Sequence, residues 1–547
     1  MRHFKLCSVL LAFFMCACSE EDAPPAAIPD ETKPTITIVE PTDLTNPLRA
    51  RVTIKAEATD DTGITKVEVF VNGKSIASAT SSPVEASWDT KTVFDGSHVI
   101  KVVAEDAEGN KEEKVLSVEV KNVLFTFPID ATFLSEFGDG WIYVSDENNS
   151  VIEVKQMKND ESLIFNTPVG YSNGKRYSFH IVDYFFYDYG LGTTASTSYG
   201  SYVDVLPGTF IINREKRTAI PSVGKHTLFI GGCPSFSSLF GYTISKDANL
   251  ASYSGTPPAL PDYVIPVAST LAKSPADIIY FLFDNEAEMN GLNNPFLFHR
   301  VENAIDNTES VVDYSSLLPM DYLATNFTDA ISSEYSLSYL RNAGDYNSTV
   351  FLYRQSNSVM PNELHIHYPD ITFPEYVTSI TYENNDARYT YIKASSQVNN
   401  EFKKISANIN SFSSEGDKIS YSATGTFTHV AASSVVYFSD GFNSGSYDRF
   451  VFGANNSKGE MVFPELPQEI ADKYPELGTQ EFVFETFILY NNTGIPSFDK
   501  FMEVRFSGKS IFTETKERFL LIKGIPSFGG RRERQNTARR TEEFLYQ

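Results

Sequence analysis

The chain has 547 residues, 41% of them hydrophobic, with 70 acidic against 45 basic side chains and a formal net charge of −25 at pH 7. The length exceeds one ordinary core, so several domains are expected. The charge excludes nucleic acid as a partner, because nothing would offset phosphate repulsion, and after the first twenty residues no stretch is long and apolar enough to span a bilayer as a helix.

Met1 to Asp22 reads MRHFKLCSVLLAFFMCACSEED. Arg2 and Lys5 form a positive start, and Leu6 to Met15 is an apolar core of signal-peptide length, too short to cross a membrane. Small Ala17 stands directly before Cys18, whereas Cys16 follows bulky Met15. This pattern resembles the lipobox of bacterial lipoproteins, and Ser19-Glu20-Glu21-Asp22 resembles the acidic export tag of Bacteroidota-type surface lipoproteins. The resemblance implies a signal over 1–17, cleavage before Cys18, acylation of its thiol, and a place in the outer membrane facing the exterior. Several acyl chains anchor stably where one does so only marginally. Residues 18–33, rich in Pro and Ala, then read as a flexible tether.

Of the four cysteines (Cys7, Cys16, Cys18 and Cys233), the same processing leaves only Cys233 as a free thiol. No intrachain disulfide is then available, so stability rests on core burial. Cys233 lacks the flanking signals of a nucleophile and reads as buried and structural.

Residues 34–122 are the most legible part of the chain. Val52, Ile54, Ala56 and Ala58 alternate with polar residues, as do Val67, Val69 and Val71, which is the period of a half-buried strand. Asn72-Gly73 supplies a hairpin turn with positive φ. With Thr35–Val39, His98–Ala104 and Lys114–Val120, seven short strands at regular spacing predict a β-sandwich. The runs TDDTGITKVEVFVNGK, WDT and DGSHVIKVVAEDAEGN resemble a bacterial Ig-like domain. In that fold Trp88 and the valines fill the core. Asp60, Asp61 and Asp106 are either calcium ligands at the domain edge or side chains closing their own turns.

From 123 the pattern stays β-rich, so the predicted fold class is all-β with few short helices. Segments such as Trp141–Val144, Tyr177–Val182, Glu363–Tyr368, Tyr376–Tyr382, Arg388–Lys393, Lys403–Asn408 and Phe501–Phe506 read as strands because they alternate or are rich in aromatic and β-branched residues. Helix is expected somewhere in Ser315–Arg341 and over Leu466–Lys473. The Pro-rich stretch Gly255–Pro261 divides β-rich domains at 123–260 and 261–529, and 530–547 is a basic tail, read as solvated.

Candidate chemistry is sparse. No nucleophile elbow, zinc-protease helix, phosphate loop or dinucleotide fingerprint is present. His365 and His367 lie two apart on a predicted strand, on one face, as in some metal sites; His299 and His429 are unsupported further candidates. Tyr184, Tyr187, Tyr189, Tyr199 and Tyr202 lie in a Tyr-, Gly- and Ser-rich stretch, with Trp141 nearby in a predicted strand. The stretch reads either as a binding loop, since tyrosine offers a flat apolar face and a polar tip, or as a long hairpin whose aromatics cover a sandwich edge. No cofactor is expected apart from calcium. The functional expectation is a surface-exposed, non-catalytic binding protein for glycans. Alternatives are a polysaccharide hydrolase with a carboxylate pair that sequence cannot select, and an adhesin or a structural component of a surface assembly.

Overall fold

The computed structural model describes residues 30–524 except 43, 169–174, 189, 191, 215–221, 233–238, 245–251, 256–263, 286–295, 358–361, 440–442, 464, 475–483 and 485. The lipobox-like segment with Cys18, Tyr189, Cys233 and the basic tail therefore lie outside the described residues. Two compact units divide at Asn122/Val123, and each is described by itself.

The first unit holds seven strands: β1 (Thr35–Glu40), β2 (Arg51–Thr59), β3 (Ile64–Val71), β4 (Lys74–Ala79), β5 (Val84–Asp89), β6 (Gly96–Asp106) and β7 (Lys111–Val120). They form two sheets, β1-β2-β5 and β4-β3-β6-β7. Alternation does what it predicts: Val67, Val69, Ile100 and Val102 are fully buried, and Trp88 packs among them at 4% exposure. Asn72 and Gly73 both adopt positive φ (49° and 80°) between β3 and β4, as a two-residue hairpin of this hand requires. The unit begins earlier than the expected tether boundary at Lys33. Asp30 is already tied in, accepting from Thr62 Oγ1 through Oδ2 (3.1 Å) and from Asn110 Nδ2 through its carbonyl (2.9 Å).

The second unit is built on one twelve-stranded sheet. Its strands are β8 (Gly138–Ser145), β9 (Val151–Gln156), β10 (Tyr177–Asp188), β11 (Thr193–Val205), β12 (Ser332–Leu340), β13 (Thr349–Asn357), β14 (Glu375–Glu383), β15 (Arg388–Ser395), β16 (His429–Ser439), β17 (Asn443–Ala454), β18 (Thr486–Asn492) and β19 (Glu517–Lys523). The spatial order is β9-β8-β10-β11-β17-β16-β18-β19-β15-β14-β12-β13. Neighbours pair antiparallel except β11 and β17, which run parallel from Thr193↔Asn443 to Tyr202↔Phe452. That pairing joins strands from both sides of the boundary expected at 260/261. Smaller sheets cover the large one. Among them, Val123–Pro128 pairs with Ser162–Asn166 and Gly208–Thr209, and Ala407–Glu415 pairs with Lys418–Gly425.

Three secondary-structure expectations are corrected. Ser315–Arg341 is not α-helical: it contains one short 3-10 turn and then strands, including Asp321–Asn326 and β12. Tyr335, Leu337 and Tyr339 are buried while the serines between them are less so, a period of two that a helix cannot satisfy. Phe501–Phe506 belongs instead to a helix, Phe498–Arg505 (α2 below). Ser497 caps it by accepting from Lys500 N, and Phe498, Phe501 and Met502 are buried at helical spacing. The strand expected over Lys403–Asn408 starts only at Ala407. The short helix expected near 466–473 is present as α1 (Gln468–Lys473).

Candidate functional site

The stretch around Tyr184 to Tyr202 is a long hairpin, β10 and β11, lying inside the large sheet with β8 on one side and β17 on the other. Strand alternation gives it two different faces. On one face Val182, Tyr184 and Tyr199 join Trp141 of β8. Trp141, Tyr184 and Tyr199 are 5%, 8% and 4% exposed. Trp141 and Tyr184 both contact the Tyr474 ring, at 5.3 and 4.1 Å between centroids, and Tyr199 meets Phe463 edge-on at 4.4 Å. These three residues, read from sequence as a ligand platform, are core. This face of the mid-sheet strands is covered, so its rings bury rather than face a ligand. Tyr202 points the other way, stacked on Phe452 at 5.1 Å. Tyr187, near the hairpin tip, is 40% exposed. The five of these six residues that are described therefore do not assemble into one surface.

The opposite face holds a cleft of about 440 Å³. Register explains its floor. Ile181, Asp183 and Phe185 of β10 stand opposite Gly200, Ser198 and Ser196 of β11; Ser198 and Gly200 in turn stand beside Asp448 and Phe450 of β17. The central row is thus small, and the flanking rows carry a carboxylate and an aromatic or aliphatic group each. Phe133 and Ser135, Ile211 to Arg214, and Arg505 and Phe506 at the end of α2 form the walls. The 210–212 segment is stitched in place by backbone bonds: Phe210 N to Thr126 O, Ile211 N to Phe506 O and Ile212 N to Pro128 O, at 2.8–3.0 Å. Beneath the cleft, Phe179 packs against Phe127, Phe210, Phe506 and Tyr202, each at 5.0–5.5 Å.

Arg214 is clamped across the cleft. Its Nε donates to Phe133 O at 2.8 Å and its Nη2 to Asp183 Oδ2 at 2.5 Å. Burial pushes the Asp183 carboxyl up from its ordinary value, and the Arg214 guanidinium pulls it back. Burial likewise raises the Tyr202 phenol, opposed by the Arg505 guanidinium beside it. Arg505 also lies over the Phe506 ring at 5.5 Å. The arrangement offers acceptors (Asp183, Asp448), planar donors (Arg214, Arg505), hydroxyls and ring faces within one concavity. That mixture suits a ligand with many hydroxyls and flat apolar sides.

The two sequence-predicted histidines do lie close, with ring centroids 6.3 Å apart, on the strand Glu363–Tyr368. His365 Nε2 bonds Glu363 Oε1 at 2.9 Å and its ring stacks on Tyr322 at 4.0 Å. His367 is 1% exposed, with Nδ1 3.3 Å from the Tyr335 hydroxyl, and burial holds its pKa down at about 3. His299 sits elsewhere, opposite Phe281 in another sheet. His429 is in β16, stacked between Tyr490 and Phe501 at 4.4 and 3.8 Å. Among the described residues, no metal-like cluster of three ligands includes any of these histidines.

The calcium expectation named Asp106, but its Oδ1 is occupied by the backbone N–H groups of Glu108 and Asn110, both at 2.9 Å. That is turn closure. Asp30 instead joins Asp60 and Asp61, with carboxylate oxygens within 4.8 Å of one another.

Sequence reading missed Asp183, Arg214, Asp448 and Arg505. Asp183 stood between the predicted strand Tyr177–Val182 and the Tyr-rich stretch that begins at Tyr184, and that was its one signal. The other three are distributed over nearly 300 residues and carry no spacing of their own.

Residues 34–102 match the family model of the bacterial Ig domain. No curated protein matches the chain. Solved structures with some likeness include the fibronectin(III)-like modules of Clostridium thermocellum CbhA, 26% identical, covering 16% of this chain and 97% of theirs at a TM-score of 0.14. A bacterial ice-binding adhesin is 10% identical over 52% of this chain and 100% of its own, with a TM-score of 0.17. The Bacteroides ovatus mixed-linkage glucan utilization locus protein SGBP-B, solved with a mixed-linkage heptasaccharide, is 12% identical over 64% and 98%, with a TM-score of 0.14. At such TM-scores none of the three bears on the architecture or activity of the chain.

Proposed function

We propose that this chain is a surface lipoprotein, acylated at Cys18 and carried on the exterior of the outer membrane, that binds glycans without transforming them. The cleft carries the binding half of this reading. Asp183, Phe185 and the small hydroxyl-bearing floor are held on central strands, where backbone pairing on both sides fixes their positions, and Arg214 and Phe133 close the cleft from its walls. Carboxylate and guanidinium accept from and donate to vicinal hydroxyls, while Phe133 and Phe185 offer ring faces to the apolar side of a sugar. The lipobox and acidic tag support the location. The Ig-like unit serves as spacer between lipid and cleft.

The test is calorimetry with soluble glycans on the wild-type chain and on Asp183→Asn and Arg214→Gln. Glycan binding lost in both variants supports the reading. Binding untouched by either variant removes the cleft from it. Mass spectrometry of the N-terminal peptide checks the anchor, and an unmodified Cys18 refutes it.

One observation favours a second reading, hydrolysis. Asp183 and Asp448 flank Ser198 in a single row, two strand spacings or about 10 Å apart at Cα, in the range from which two carboxyls can act on one glycosidic bond. Burial raises the Asp183 carboxyl towards the protonated form a general acid needs, and the Arg214 guanidinium opposes that rise. Release of reducing ends from any polysaccharide by the purified protein, abolished in Asp448→Asn, would replace binding with turnover.

A further inference from the structure

The cleft is not closed at its outer end. Along β11, the small residues Gly200, Ser198 and Ser196 are followed on the same face by Thr194, and Ser198, Ser196 and Thr194 all keep partial exposure. On β10 the same face runs from Asp183 through Phe185 to Tyr187, which stands opposite Thr194. A trough with a floor of small residues and an aromatic rim therefore continues from the cleft to the hairpin tip. From Gly200 to Thr194 it spans about 20 Å at the rise of an antiparallel strand, longer than a single sugar ring needs.

The rim ends in a pair of exposed rings. Phe137 is 52% and Tyr187 40% exposed. They meet edge-on, 5.2 Å between centroids, and the β10 backbone ties in beside them, Phe186 N donating to Phe137 O at 3.2 Å. Two large rings that touch each other, remain exposed and adjoin a polar cleft mark a recognition surface rather than scattered surface apolarity.

We propose that the site takes a chain, not a free monosaccharide: a linear oligosaccharide segment lies along β11, its inner end hydrogen-bonded in the Asp183–Arg214 cleft and its outer rings against Tyr187 and Phe137. This rests on the glycan reading above and adds the class of ligand. The small floor lets a ribbon-like polymer sit against the sheet. The aromatic rim supplies sequence-tolerant contact with successive rings, and the ion pair supplies the directional end.

The experiment is calorimetry on the full chain with cello-, xylo-, manno- and galacturono-oligomers, each from dimer to hexamer. In the series that binds, affinity rises at least tenfold with length. The Phe137→Ala/Tyr187→Ala double variant loses that gain and leaves dimer affinity unchanged, whereas Asp183→Asn weakens every length. Both rings are exposed, so the fold tolerates their removal; Tyr187→Phe, which keeps the ring, retains the length dependence. Equal affinity for dimer and hexamer, or an undiminished gain in the double variant, overturns the inference and leaves the cleft reading standing. Binding to no series overturns both. If the double variant binds oligomers normally but loses attachment to immobilised surface proteins, the rim serves a protein partner and the inference fails.

Discussion

The Ig-like unit and the unit that follows it are both β structures, but they draw their strand partners from different distances. In the first, every strand pairs within residues 35–120. In the second, β11 lies parallel to a strand about 250 residues later, and β15 pairs with β19. Local pairing leaves its mark on local sequence, as alternation and a positive-φ turn. Distant pairing leaves none, because the register between two strands depends on faces that each of them shows equally well alone. The candidate site belongs to the second unit, where its groups converge only after the sheet is assembled.

This contrast can be tested first with acid. His180, His367 and His429 are buried in the second unit, and desolvation lowers each, the first two to about 3 and His429 well below its ordinary value. Above pH 6.5 they are neutral folded or unfolded and cost nothing. As pH falls below 6.5 the unfolded chain takes up protons that the folded one refuses, so stability is lost progressively from 6.5 towards 3. Each histidine removes about 2 kcal/mol by pH 5. The first unit's His98 is only half-buried. Denaturant melts at pH 8 and pH 5 are expected to show the second unit's transition moving to lower denaturant and the first unit's staying nearly still. Coincident shifts of both would break the contrast.

Core truncation gives the next largest effect. Phe179→Ala removes a ring that touches five others beneath the cleft, and is expected to cost about 3–5 kcal/mol, with loss of glycan binding. Trp88→Ala is expected to cost the first unit a similar amount and to leave binding by the cleft intact. Separate denaturation transitions, read beside calorimetry, check both variants; loss of binding in Trp88→Ala would show that the units do not act independently.

Glycine substitutions sharpen the comparison at a smaller scale. Gly73 has φ +80° with nothing near its missing Cβ, so Gly73→Ala carries only the conformational cost, about 1–2 kcal/mol. Gly425 also has positive φ, but its Cβ would stand 2.1 Å from Ser406 O. Gly425→Ala must therefore move backbone, and a larger drop in the second unit's melting midpoint is expected. Equal drops would mean that the close approach relaxes freely.

Several strands were legible, but β12, with one face buried, fell inside the helix expected in Ser315–Arg341. Glu363–Tyr368 was read with its observed limits, and β14 and β15 nearly so. Phe501–Phe506 was misread because its aromatics satisfy a strand propensity, while the cap at Ser497 and the burial of Phe498, Phe501 and Met502 reveal a helical period only from a window starting earlier. The Tyr-rich stretch was marked as unusual, but the residue that lines the cleft is Asp183, immediately before it.

Taken alone, the chain of letters determined an all-β protein and an Ig-like first unit with its hairpin turn and core. These follow from periodicity, turn chemistry and short contiguous motifs. Only the tertiary structure decided which face of β10 and β11 is sealed by Trp141, Tyr184 and Tyr199 and which stays open, and only it brought Arg214, Asp448 and Arg505 to Asp183. A strand's period of two specifies that it has two faces. What covers each face depends on where the rest of the chain packs.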